Sequence, residues 1–116
     1  MTDLDVLTEW VHGYLRAWNS NDPADIEALF TDDAEYYPAP FQAPWQGAAE
    51  IVRQWLERRD EPGTATFAWN PVVATGDIAV VQGTTVYPDR TYSNLWVIRF
   101  GAQRRCREFT EWWMAH

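Results

Sequence analysis

The spacing of apolar residues changes along the chain, and each spacing predicts a different element. Leu4, Leu7, Val11, Tyr14, Leu15 and Trp18 recur every three to four residues, which places them on one face of a helix. Thr2 and Asp5 are spaced as a capping box at its start, and Asn19-Ser20-Asn21 closes it. Asp22-Pro23 opens a second helix, because an Asp side chain accepts from free backbone amides and Pro suits the first helical position. Ile26, Leu29 and Phe30 form its predicted buried side. Residues 34–37 read as a short strand, after which Pro38, Pro40 and Pro44 keep the chain irregular as far as Trp45. A third helix follows Gly47, with Ile51 and Trp55 inward, and Pro62-Gly63 stops it.

From residue 64 onward the period drops to two. Strands are predicted over 64–74, interrupted at Asn70-Pro71, then over 78–87, 91–100 and 105–113. The connections Thr75-Gly76-Asp77, Pro88-Asp89-Arg90 and Gly101-Ala102-Gln103 are short, so neighbouring strands form antiparallel hairpins. Helices first and a meandering sheet afterwards give an α+β chain, with residues 1–116 as one domain.

Composition narrows the chemistry. Eight Trp, five Tyr and five Phe in 116 residues exceed what a small core needs, and aromatic side chains also line small-molecule pockets. A small apolar or aromatic molecule is therefore the expected partner. The nine cations are all arginine, so the chain has no lysine amine for Schiff-base chemistry or pyridoxal phosphate attachment. With His12, His116 and Cys106 as its only histidines and cysteine, it offers neither a Cys cluster nor a His triad, so no metal, no other cofactor and no internal disulfide are expected. A formal charge of −8 argues against nucleic acid as a partner. Thr2-Asp3-Leu4-Asp5 is no signal sequence and no apolar run reaches membrane-spanning length, which makes a membrane role unexpected and the cytoplasm the default address.

The order of elements, with Gly47 and Ile51 in the third helix, resembles the nuclear transport factor 2-like superfamily over nearly the whole chain. Residues 14–19, the run Ala28-Leu29-Phe30-Thr31-Asp32-Asp33-Ala34 and the spacing to Gly47 resemble its ketosteroid isomerase and SnoaL-like branch. The resemblance implies a curved antiparallel sheet packed against three N-terminal helices around a conical cavity, and a homodimer. It also implies that Phe109 and Trp113 on the last strand and Trp96 on the one before face that cavity. Alternation then turns Tyr92, Asn94, Ile98, Phe100 and Glu111 the same way.

The known reactions of the superfamily transfer poorly. Tyr14 matches the isomerase tyrosine, but the base position falls on Pro38 and the second oxyanion donor near Trp96. Glu111 lies where the last carboxylate of limonene epoxide hydrolases would be, whereas their other two charged positions fall near Gln82 and Thr84. Scytalone dehydratase uses inward histidines, for which His12 and His116 are poor substitutes. Any catalysis is thus expected to be cofactor-independent and organised around Glu111 as acid or base. Tyr14 and Asn94 would orient or polarise a substrate oxygen, and Gln82 would add a neutral polar group. Tyr36, Trp45, Trp55 and Trp96 would form the wall that selects a ring-shaped ligand, with Phe109 and Trp113 flanking the acid. The competing readings are a structural ion pair of Glu111 with Arg16 or Arg53, a cationic ligand held by the aromatic ring faces and Glu111, a non-catalytic ligand-binding module, and a protein-interaction domain using the outer sheet face. Cys106, opposite in alternation to Glu111, and the run Arg104-Arg105-Cys106-Arg107 are assigned no chemistry.

Overall fold

Thr2 caps helix α1 (Asp3–Ser20) in a computed structural model that describes residues 2–116. The capping box is present in both directions, with Asp5 N donating to Thr2 Oγ1 and Thr2 N to Asp5 Oδ2, each at 3.1 Å. Asn21 ends the helix in the left-handed conformation, φ 51°. Asp22 caps α2 (Pro23–Glu27), which is only five residues long. Phe30 therefore does not belong to a helix. It opens β1 (Phe30–Tyr37), four residues earlier than periodicity suggests.

The Pro-rich loop returns to pair Trp45 with Tyr36, making a two-residue strand β2 (Trp45–Gln46). Helix α3 (Ala48–Glu57) follows Gly47 and ends at Glu57, before Pro62-Gly63 is reached. The turn released by that early end is anchored by one residue: Asp60 Oδ2 accepts from Trp18 Nε1 at 2.9 Å and Tyr87 Oη at 2.8 Å, and its carbonyl accepts from Asn21 Nδ2.

Strands β3 (Thr66–Thr75), β4 (Ile78–Val86), β5 (Thr91–Phe100) and β6 (Cys106–Ala115) form the antiparallel meander. Pro71 does not break β3 but shifts its register against β4. One curved, six-stranded sheet results, in the order β2-β1-β6-β5-β4-β3. It is antiparallel except where β1 runs parallel to β6, a pairing made possible because α3 and all other strands lie between them in sequence.

The three helices bury Leu7, Val11, Ile26 and Ile51 against the inner sheet face, where Ile98, Val81 and Phe109 meet them. Gly83 is needed on that face. A Cβ there would lie 2.4 Å from the Phe67 ring, which crosses β4 to stack on Trp96 at 4.7 Å and 11°. Among the described residues no helix is long and apolar enough to cross a membrane.

Candidate functional site

Between the helices and the inner sheet face lies a cavity of about 310 Å³, lined chiefly by aromatic side chains. Its floor is set by alternation. Asn94, Trp96 and Ile98 on β5 and Thr85 on β4 are buried, and the register places Asn94 opposite Trp113 and Trp96 opposite Glu111 on β6. Glu111 consequently meets two donors from β5. Trp96 Nε1 donates to its Oε2 at 3.0 Å and Asn94 Nδ2 donates to the same oxygen at 3.1 Å. Oε1 receives no donor among the described residues.

The Asn94 amide is itself oriented. Thr85 Oγ1 donates to Asn94 Oδ1 at 2.7 Å, so the NH₂ group must face Glu111. Asn94 thus positions the carboxylate first, with one N–H left over for a ligand. Neither arginine weighed as a partner reaches Glu111. Arg53 is bound to Glu50 and Glu57 on the helix surface, and Arg16 is exposed. Burial raises the Glu111 pKa above the usual carboxylate range, and the Trp96 and Asn94 hydrogen bonds pull it part of the way back. A carboxyl group with a raised pKa and no counter-cation in contact, inside an aromatic pocket, is suited to take up and release a proton.

A second polar group lines the same cavity. Tyr14 and Tyr36, on α1 and β1, share a hydrogen bond of 3.1 Å between their hydroxyls. Whichever phenol donates in that bond, the other keeps its own proton free for a ligand oxygen. Burial pushes both pKa values upward, so both remain protonated donors. Tyr36 therefore brings a hydroxyl as well as apolar surface. Trp45 stacks on Tyr36 at 4.6 Å and 11°, and Trp55 contacts Tyr14 at 4.9 Å. Both indoles line the cavity, and Trp113, 54% exposed, stands at its edge.

Two residues expected in the lining are elsewhere. Gln82 is exposed on the opposite face of β4, because Ala79, Val81, Gly83 and Thr85 take the inward phase. Phe109 is fully buried below the cavity, under Tyr14, Tyr36 and Trp96, at ring distances of 5.7, 4.7 and 5.3 Å. Thr85 is the residue that sequence reasoning misses on β4; Gly83 beside it, a strand glycine with a ring against it, was the available signal for the inward phase. Also unforeseen are Asp60, Tyr87 and three arginines, Arg58, Arg59 and Arg90, at the cavity's exposed end. Nothing in their local sequence marks them, since loops carry them in. Among the described residues no group of three or more His, Cys, Asp or Glu side chains is arranged to hold a metal ion.

Residues 11–111 match the family model described as the SnoaL-like domain. Solved structures of the same fold include an NTF-2-like protein of unknown function from Burkholderia xenovorans, with TM-score 0.75, 13% identity, and 94% of this chain and 83% of that one covered. An NTF2-like protein of unknown function from Mesorhizobium loti gives TM-score 0.72 and 18% identity, covering 95% and 92%. An LEH-like epoxide hydrolase from M. tuberculosis gives TM-score 0.64 and 13% identity, covering 91% and 80%. No curated protein sequence matches. At these identities the likeness establishes the fold and leaves the chemistry to the side chains.

Proposed function

This chain belongs to the SnoaL-like domain family, and from that premise we propose that its cavity binds a small ring-containing molecule and catalyses proton transfer on it, with Glu111 as the proton carrier. The observation that carries this reading is the state of Glu111: half-buried among aromatic rings, free of any arginine, and held through Oε2 alone. Oε1 would accept a proton from a carbon next to a carbonyl while that C–H electron pair becomes the carbon–carbon π bond of an enolate and the carbonyl π pair moves onto oxygen. The free phenol proton of the Tyr14–Tyr36 pair would stabilise the resulting negative charge. Return of the proton to the same or another carbon completes an exchange or an isomerisation without any cofactor. Aromatic walls exclude water from both steps.

Deuterium exchange tests the chemistry directly. Nuclear magnetic resonance of a cyclic ketone such as 2-tetralone in heavy water is expected to show α-proton exchange faster with the protein than in buffer. Exchange at the buffer rate with the ketone demonstrably bound would replace the enzyme by a ligand-binding module.

A second reading concerns the outer sheet face, where Val73, Val86, Trp112 and Met114 are exposed. In register they share rows with neutral residues such as Gln82, Thr84 and Thr110. A sheet face that is neutral apart from the Arg99–Glu108 pair, on a chain of net charge −8, supports a homodimer packed face to face through it. Light scattering is expected to give twice the chain mass, and Trp112→Arg, which puts like charges against each other across the two-fold axis, is expected to give the monomer. A wild-type monomer would remove this reading.

A further inference from the structure

The exposed end of the cavity carries a charge pattern opposite to that of the chain. Acids outnumber arginines seventeen to nine overall, yet three of the nine arginines, Arg58, Arg59 and Arg90, line this one opening. Two of the three guanidinium groups lie over aromatic rings. Arg58 lies over the Trp45 ring at 5.4 Å, and Arg90 over the Tyr87 ring at 4.3 Å. Stacking of this kind holds a guanidinium in place while leaving edge N–H groups available. Arg58 also contacts Gln54 and Glu57, and Arg90 contacts Asp89 and Tyr92. Arg59 differs, since its Nη1 donates to the Leu56 carbonyl at 3.2 Å. It has no carboxylate partner among the described residues.

Two acids line the cavity itself, while Glu57 and Asp89 stand outside the lining beside Arg58 and Arg90. Asp60 lines the cavity, but its Oδ2 is occupied by Trp18 and Tyr87. Glu111 is at the inner end with Trp96 and Asn94. An approaching cation must pass three guanidinium groups before reaching Glu111. An approaching anion meets them first and is repelled by the chain as a whole unless it is drawn to this opening.

Resting on the reading of the cavity as a small-molecule site, we infer that the ligand is an amphipathic monoanion, a ring body carrying one carboxylate, whose ring lies among the aromatic walls and whose carboxylate is taken by Arg59 with Arg58 and Arg90 beside it. The fork of Arg59 suits the two oxygens of a carboxylate. This polarity fixes the binding direction, with the anionic end outward and the far end of the ring toward Glu111 and the tyrosine pair.

Three probes with one ring body test the charge class: 2-naphthoate, its primary amide and 2-naphthylmethylammonium, titrated calorimetrically at low and high ionic strength. Wild type is expected to bind the carboxylate about tenfold more tightly than the amide, and the ammonium least, with the preference shrinking as salt rises. Arg59→Gln is expected to bring carboxylate and amide to near parity by weakening the carboxylate alone, and Arg59→Lys to restore part of the difference. Loss of amide binding as well in Arg59→Gln would show a damaged pocket and overturn the assignment to Arg59. Equal binding of acid and amide, or tighter binding of the ammonium, would overturn the anion class and leave the small-molecule pocket standing. Failure of all three probes to bind would remove the pocket reading and this inference together.

Discussion

Glu111→Gln is expected to slow proton transfer by at least about 10²-fold and, at the same time, to make the folded protein more stable at neutral pH. The two effects share one cause. Burial raises the Glu111 pKa in the folded chain above its ordinary value, so ionisation costs more folded than unfolded. Between the ordinary value and the folded one the native state holds a proton that the unfolded state has lost. Stability therefore falls as pH rises through that interval; the contribution is fully present below the ordinary value and gone above the folded one. Glutamine has no proton to lose, and its side-chain oxygen still accepts from Trp96 Nε1 and Asn94 Nδ2. The variant should then lose the downward slope of Tm with pH above the ordinary carboxylate range. Thermal unfolding across pH, beside deuterium exchange, measures both. A large fall in Tm with exchange intact would make Glu111 a structural residue.

Phe109→Ala is expected to have the largest effect on stability. The ring is inaccessible and touches Tyr14, Tyr36, Trp96 and Trp10, so its removal leaves a void under the cavity floor bounded by large rings that cannot all collapse inward. Truncating a core phenylalanine costs about 3–5 kcal/mol, a large share of the ~5–15 kcal/mol by which domains are stable. For a chain of this size that is a Tm lower by roughly 10–25 °C. Phe109→Leu should lose less than half as much. A cost under about 1 kcal/mol for the alanine variant would mean that the ring is not a packed support of the site, contrary to the general cost of such truncations.

These two residues also show what a sequence can and cannot display. Glu111 and Phe109 have the same parity on β6, and alternation alone turns both inward. It does not tell depth. Phe109 pairs with Ile98 near the helices and is sealed beneath them, whereas Glu111 pairs with Trp96 and reaches the cavity. On β4 the failure was one of phase. Gln82 and Thr84 lie on one face and Thr85 on the other, in a strand whose two faces are almost equally mixed in polarity, so the pattern there has no preferred register. The helices were legible because their caps are local chemistry. The short α2 was overextended because Leu29 and Phe30 are apolar for different reasons, one completing the turn and the other beginning β1. Asp60 and the three arginines at the opening were invisible because their positions follow from where α3 stops and where the β4–β5 turn folds back, and the partners that fix Asp60, Trp18 and Tyr87, are distant in sequence.

One detail of the carboxylate bears on stereochemistry. Trp96 and Asn94 both hold Oε2, so the two oxygens of Glu111 are not equivalent and the group cannot present either one at will. In the proposed reaction the proton would then pass through Oε1, from a fixed direction set by two strands and an indole. A flat, enol-like ring bound against the tyrosine pair meets that oxygen with only one of its faces. A prochiral carbon protonated there acquires a single handedness, set by hydrogen bonds that never touch the ligand.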